Sequence, residues 1–274
     1  MATVLETRQL TPVTKLLVVE APLVARHAQP GQFVIVRVDA HGERVPISLT
    51  DFDASAGTIT VVVQQVGKTS GLICALDPGD VVLDLAGPLG RPVELPAEGR
   101  AVLVAGGFGA GAIYPLAREL QARSVLVSVI VGARTADLVI LSNLLEPACD
   151  EFLVCTDDGS LGYHGFTAQL LAEQLERGST FTQCFAVGPM AMMRAVADVT
   201  RPYELRTLVS LDPIMLDGTG MCGACRITVG GETKFACIDG PFFDAHAVDF
   251  DEAVVRSKMY VDEEQVAAEL VGAR

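Results

Sequence analysis

One run near the end of this chain restricts its fold more than any other. Asp217-Gly218-Thr219-Gly220-Met221-Cys222-Gly223-Ala224-Cys225 is answered by a third cysteine at Cys237. Read as D-x4-C-x2-C-x11-C, it carries the plant-type iron–sulfur spacing C-x4-C-x2-C…C, with aspartate in the first ligand position. Four ligands so spaced suit a [2Fe–2S] cluster. Such a cluster needs a loop that turns tightly and brings N–H groups close to inorganic sulfide, and Gly218, Gly220 and Gly223 lack the Cβ that would forbid it. Residues 226–236 read as a hairpin on Gly230-Gly231 that returns Cys237 to the loop. Two other readings of the same residues stay open. A structural zinc site usually draws on two close cysteine pairs, and here a lone cysteine and an aspartate would complete the set. Structural thiols or a disulfide are the third reading, with nothing in the sequence to favour export.

Composition narrows the classes of function. The chain has 274 residues, room for two compact domains and an accessory module, and half of it is hydrophobic. A formal charge of −14 speaks against nucleic acid, whose phosphates need Lys and Arg. The N-terminal stretch lacks the charged and apolar regions of a signal peptide. No apolar run reaches the roughly 18 residues of a membrane span. A soluble protein of the reducing cytoplasm, without membrane insertion, is therefore expected. Cys74, Cys149, Cys155 and Cys184 sit singly among apolar neighbours and read as packing residues.

The chain changes rhythm twice. Residues 15–20, 32–38 and 58–64 are short β-branched runs between Pro and Gly turns, the pattern of a small antiparallel barrel. After about Leu95, apolar strands at 101–105, 125–131, 152–156 and 181–187 alternate with helical stretches at 113–122 and 168–176, as in a parallel α/β sheet. The expected divisions are a barrel at 1–97, an α/β domain at 98–204, and a cluster module with a helical tail at 205–274.

Each of the first two domains carries loops suited to phosphate. In Arg44-Val45-Pro46-Ile47-Ser48-Leu49, arginine offers a planar fork for a phosphate and serine a hydrogen bond for a ring heteroatom. An edge strand with a surface arginine is the competing reading. Gly67-Lys68-Thr69-Ser70 opens an apolar stretch, so its N–H groups suit a pyrophosphate or serve a plain helix cap. The P-loop spacing G-x4-G-K-[ST] is missing. Gly106, Gly107 and Gly109 follow the first α/β strand and precede a helix, the context of a dinucleotide loop or of a tight turn. Asp157 and the Gly188-Pro189-Met190 segment stand at two further strand ends. The acidic ribose ligand expected about 20 residues beyond the glycines is absent, and Arg134 stands there instead, which leans towards a 2′-phosphate. The four histidines, His27, His41, His164 and His246, are scattered and read as surface or packing residues.

In this order the motifs resemble the electron-transfer flavoprotein subunit of dihydroorotate dehydrogenase, a branch of the ferredoxin–NADP reductase superfamily. They are closer still to the small subunit of bifurcating NADH-dependent ferredoxin:NADP oxidoreductases, also known as sulfide dehydrogenases, because aspartate replaces the first cysteine. The resemblance implies an FAD site on Arg44, Pro46, Ile47, Ser48, Leu49, Val62 and Gly67 to Ser70. It implies an NAD(P)H site on Gly106, Gly107, Gly109, Arg134, Asp157 and Gly188 to Met190, and a [2Fe–2S] cluster on Asp217, Cys222, Cys225 and Cys237. Hydride from NAD(P)H would reach the flavin and leave as single electrons through the cluster, with no acid–base triad. The implied partner is a larger flavoprotein or iron–sulfur subunit, with ferredoxin served indirectly. The alternatives are an electron-transfer subunit of dihydroorotate dehydrogenase, a stand-alone reductase, and a redox-silent structural partner.

Overall fold

Alternating β-branched residues in the first third pair as antiparallel strands with one face turned inward. The computed structural model describes residues 1–272. Its first sheet comprises β1 (Ala2–Thr11), β2 (Thr14–Glu20), β3 (Phe33–Arg37), β4 (Val45–Asp53), β5 (Thr58–Gln64), β6 (Val81–Val82) and β7 (Asp84–Leu89). The order β6-β1-β2-β5-β4-β3-β7 makes a nearly closed antiparallel barrel. Val4, Leu17, Val34, Leu49, Ile59 and Val63 fill its interior. Helix α1 (Pro22–His27) starts on a proline, whose missing N–H costs nothing there. Helix α2 (Lys68–Cys74) follows β5.

The second sheet contains β8 (Arg100–Gly106), β9 (Leu126–Ala133), β10 (Glu151–Thr156), β11 (Tyr163–His164), β12 (Gln183–Val187) and β13 (Thr207–Ser210). These run parallel in the order β11-β10-β9-β8-β12-β13. Helices α3 (Gly109–Ala122) and α4 (Ser142–Leu145) cover one face, and α5 (Thr167–Glu176) and α6 (Met190–Thr200) the other. Cover on both faces explains why β8 reads as an unbroken apolar run, with Val102 to Ala105 wholly buried.

The last quarter supplies the hairpin β14 (Arg226–Val229) and β15 (Glu232–Phe235), then α7 (Ala236–Asp239), β16 (Phe242–Asp244), α8 (Phe250–Ser257) and α9 (Val261–Gly272). Val229 pairs with Glu232 across the Gly230-Gly231 turn. β16 joins β13 antiparallel and closes the edge of the second sheet. The sheet therefore takes two strands from beyond residue 204, and the cluster module shares a core with it. Phe33 and Ile35 of the barrel, Val209 of β13, and Cys225, Ile227 and Cys237 of the module belong to one apolar cluster. Cys155 and Cys184 are buried, and Cys74 and Cys149 half-buried. Among the described residues, no helix is long and apolar enough to cross a membrane.

Gly109 fixes how closely α3 approaches β12. A Cβ built there would lie 2.1 Å from the carbonyl oxygen of Val187. Helix propensity alone says that Gly109→Ala should gain up to about 1 kcal/mol, whereas overpacking against backbone costs about 1–3 kcal/mol. The clash should win, because the backbone acceptor cannot rotate away. Urea unfolding of Gly109→Ala is expected to show a net loss of stability. A gain would mean that the α3–β12 approach is looser than described.

Candidate functional site

The first cleft lies between the barrel and the parallel sheet and holds about 320 Å³. Pro46, Ile47 and Ser48 of β4, Val62 of β5 and residues 67–70 line it from the barrel side. Phe108, Gly111, Gly188, Ser210 and Asp212 close the opposite side, and Glu264 and Ala267 of α9 reach its rim. Two sequence candidates fall elsewhere. The Leu49 side chain is 1% exposed inside the barrel, because successive residues of a strand face opposite ways. Arg44 is exposed but does not line the cleft; its guanidinium lies 4.0 Å from Asp84, which also pairs with Arg37.

The turn before α2 is closed by its own serine. Ser70 Oγ accepts from the N–H groups of Val66 and Gly67, each at 2.9 Å, and donates to the Gly67 carbonyl at 3.1 Å. The N–H groups of Lys68, Thr69 and Ser70, in the first turn, have no partner within the helix. Glu43, which the sequence did not single out, accepts from Thr69 Oγ1 at 2.6 Å and lies 4.0 Å from Lys68 Nζ. No spacing rule connects a residue of the β3–β4 loop to one 25 positions later, so only the fold could find it.

The second cleft, about 620 Å³, opens at the carboxyl ends of the parallel strands, where open α/β sheets bind ligands. Gly106, Gly107, Arg134, Asp157, Pro189 and Met192 line it. Gly107 has φ +55, and a Cβ there would meet nothing within 4 Å, so the space over it is open to a phosphate. Gly109 serves the packing described above instead of the cleft wall. Of the glycine–proline segment, Pro189 lines this cleft and Gly188 the first, whereas Met192 replaces Met190 at the wall. Helical spacing from Pro189 explains that exchange. Phe108 and Gln64 line both clefts.

The cysteine loop packs on the barrel, with Gly218 against Ile35 and Leu89. Arg91 braces it, donating from Nε to the Ile238 carbonyl at 2.9 Å and from its backbone N–H to Gly240 at 2.6 Å. Cys225 and Cys237 are buried with their sulfurs 3.2 Å apart, whereas Cys222 is exposed. Asp217 accepts the Thr219 N–H at 2.8 Å on one oxygen and the Cys222 N–H at 2.9 Å on the other. These N–H groups, Thr219 first, hold its carboxyl below the usual carboxylate range. Burial, and then the adjacent Cys225, push the Cys237 thiol up, while the Gly220 N–H favours its thiolate.

Of the four candidate ligands, Cys225 and Cys237 have their sulfurs together, while Asp217 meets the backbone N–H of Cys222. Among the described residues, no three His, Cys, Asp or Glu side chains gather as a single ion would need. Three thiols and a carboxylate in one module suit a two-iron cluster, which takes two protein donors at each iron. The histidines take no part. His27, His41 and His164 are exposed, and His246 Nε2 lies 3.0 Å from Thr200 Oγ1.

Comparison with known proteins agrees with this layout. Residues 212–249 match the iron–sulfur cluster binding domain of dihydroorotate dehydrogenase B. A Thermotoga maritima homolog of the dihydroorotate dehydrogenase B (NAD(+)) electron transfer subunit is 41% identical, over 92% of this chain and 88% of its own length. The Geobacillus kaustophilus electron transfer subunit is 39% identical, over 90% of this chain and 96% of its own. A chain of the NADH-dependent reduced ferredoxin-NADP oxidoreductase, solved in work on flavin-based electron bifurcation, superposes with a TM-score of 0.94. It is 37% identical, covering 99% of this chain and 98% of that one. With barrel, parallel sheet and paired cysteine loop in the same order, the chain belongs to the family of dihydroorotate dehydrogenase B electron transfer subunits.

Proposed function

We propose that this chain is the electron-transfer subunit of a larger oxidoreductase, exchanging hydride with NAD(P)H at an FAD and passing single electrons to a partner through a [2Fe–2S] cluster. The observation that carries this reading is the contiguity of the two clefts: Phe108 and Gln64 form walls of both, so ligands filling them meet at one boundary. When bound, FAD supplies the conversion between two-electron and one-electron chemistry. The protein binds, orients and excludes water. Ser48 offers its hydroxyl to a ring heteroatom, and the first-turn N–H groups of α2 with Lys68 face the anionic linker. Arg44 stands one residue before β4, beyond the cleft lining, and its exposed guanidinium is a phosphate donor reaching in from the rim. Gly107 leaves room for the nucleotide pyrophosphate, with Arg134 and Asp157 at the adenosine end. Cys225 and Cys237 would hold one iron, Asp217 and Cys222 the other.

A larger flavoprotein or iron–sulfur subunit is the proposed recipient, with ferredoxin reached through it, and bifurcation is the favoured setting. The superposition over 99% of the chain with a chain from work on flavin-based electron bifurcation supports that setting. Aspartate at 217, where dihydroorotate dehydrogenase subunits generally carry cysteine, supports it too.

Two variants test the sites. Gly107→Val carries about 1–2 kcal/mol of left-handed backbone strain, so retained FAD and cluster absorbance serve as its internal control. Flavin reduction by both NADH and NADPH is expected to fall by at least about tenfold, equivalent to about 1.4 kcal/mol. Wild-type rates would reject Gly107 as the pyrophosphate cradle, and the two nucleotides together report specificity. Asp217→Cys is expected to assemble a cluster whose midpoint potential and electron paramagnetic resonance spectrum differ from wild type, because the donor atom changes. Identical spectra and potentials in wild type, Asp217→Cys and Asp217→Ala would reduce Asp217 to a loop-shaping acceptor for Thr219 and Cys222.

A further inference from the structure

The barrel–sheet cleft contains an ionisable side chain that the reading above leaves idle. Strand β13 ends at Ser210, and two residues on Asp212 meets the same cleft as Ser48 and Thr50. The segment between is fixed: Leu211 is 1% exposed and donates its N–H to the Pro241 carbonyl at 3.0 Å. Asp212 is exposed at the cleft between two buried neighbours, Leu211 and Pro213, and desolvation by the protein around it pushes its carboxyl up to about 6. Among the described residues no cation offsets the shift, and its own backbone N–H is all that favours the anion. The other ionisable groups facing the cleft are Glu43 and Lys68, which lie 4.0 Å apart, and Glu264 in the first turn of α9.

A carboxylate placed like this depends on the water in the cleft. A ring system that fills the cleft removes that water, and the anion then has no donor to replace it. The neutral acid avoids the penalty and gains a donor O–H, while a flavin ring presents nitrogen and carbonyl acceptors at its edge. We propose that Asp212 is the proton-holding residue of the cleft: binding of the flavin loads its carboxyl with one proton from solvent, and the acid then donates a hydrogen bond to an acceptor of the ring. No bond forms or breaks other than the carboxyl O–H. The proposal rests on the flavin assignment of this cleft.

The linkage has a definite sign. Bound flavin raises the Asp212 pKa further, so binding tightens as pH falls from 8 towards 6, by at most about tenfold per pH unit. It levels off below about 6, where the free protein already carries the proton. The experiment is calorimetric titration of the deflavinated full-length chain, cluster in place, with FAD in two buffers of different ionisation enthalpy. Wild type is expected to take up a fraction of a proton per FAD at pH 7 and to bind several-fold tighter at pH 6 than at pH 8. In Asp212→Asn the uptake should vanish and the dissociation constant should lose its pH dependence. An infrared band of a protonated carboxyl should appear on FAD binding to wild type, which tests the idea even if the variant misfolds. No uptake and no new band in wild type, or unchanged uptake in Asp212→Asn, would overturn the proposal. Ser48→Tyr, which fills the cleft, should abolish FAD binding. Unimpaired binding there would show instead that the flavin assignment is wrong.

Discussion

Everything of functional interest hangs on the seam where α3 enters between the end of β12 and the barrel. Gly109 lies against the Val187 carbonyl, and a Cβ at Gly111 would come within 2.8 Å of Thr50 Oγ1 and 3.3 Å of Val62. Only because both positions lack side chains can the loop carrying Phe108 stand between the two clefts. The seam is held mainly by apolar burial. Leu16 and Val62 of the barrel join Ile113, Leu116 and Leu120 of α3 in one cluster, and each such buried side chain contributes about 1.5–3 kcal/mol. The ion pair of Arg118 with Asp51 crosses the same seam, but an exposed pair adds only about 0.2–1 kcal/mol. Burial decides the geometry, and charge trims it.

The cysteine loop depends on the barrel as much as on its own residues. Gly218 rests on Ile35 and Leu89, and Cys225 and Cys237 lie in the core shared with Phe33. The opposite edge of the loop is solvent-facing: Cys222 is exposed, Met221 is 89% exposed, and Leu216 and Ile238 are exposed as well. One donor pair is thus buried towards the barrel, and the other edge faces outward. That asymmetry suits a centre that receives electrons from inside the chain and gives them up across a surface.

Much of this was legible in the residues. Strand β5 occupies the run 58–64, the hairpin turns on Gly230-Gly231, and the tail forms α9, because alternation, turn glycines and helical periodicity are local signals. Strands β8, β9, β10 and β12 of the second sheet were readable for the same reason, whereas the two-residue β11 was not. Nor was the sheet's continuation: β16 is only Phe242–Asp244, too short to show a period, and it pairs with β13 across the 31 intervening residues 211–241. The site shows the same divide. Glycine loops and cysteine spacing mark where ligands go, whereas the attachment of Arg44 to Asp84, the grip of Glu43 on Thr69 and the position of Asp212 are set by distant chain packing. Leu49 illustrates the limit of a motif: it belongs to the string beside Ser48, yet the pleat turns its side chain into the barrel.

In the proposed path, electrons enter at the nucleotide cleft, cross the flavin cleft and leave through the cluster of the same chain. Rapid mixing of the anaerobic, cofactor-loaded chain with NADH or NADPH, followed by absorbance and freeze-quenched electron paramagnetic resonance, tests it directly. The flavin bands are expected to bleach first, followed by the spin signal of a reduced [2Fe–2S] cluster in the same molecules without any partner present. A flavin that is reduced while the cluster stays oxidised and its potential allows reduction would contradict the path. So would a purified chain that holds neither centre.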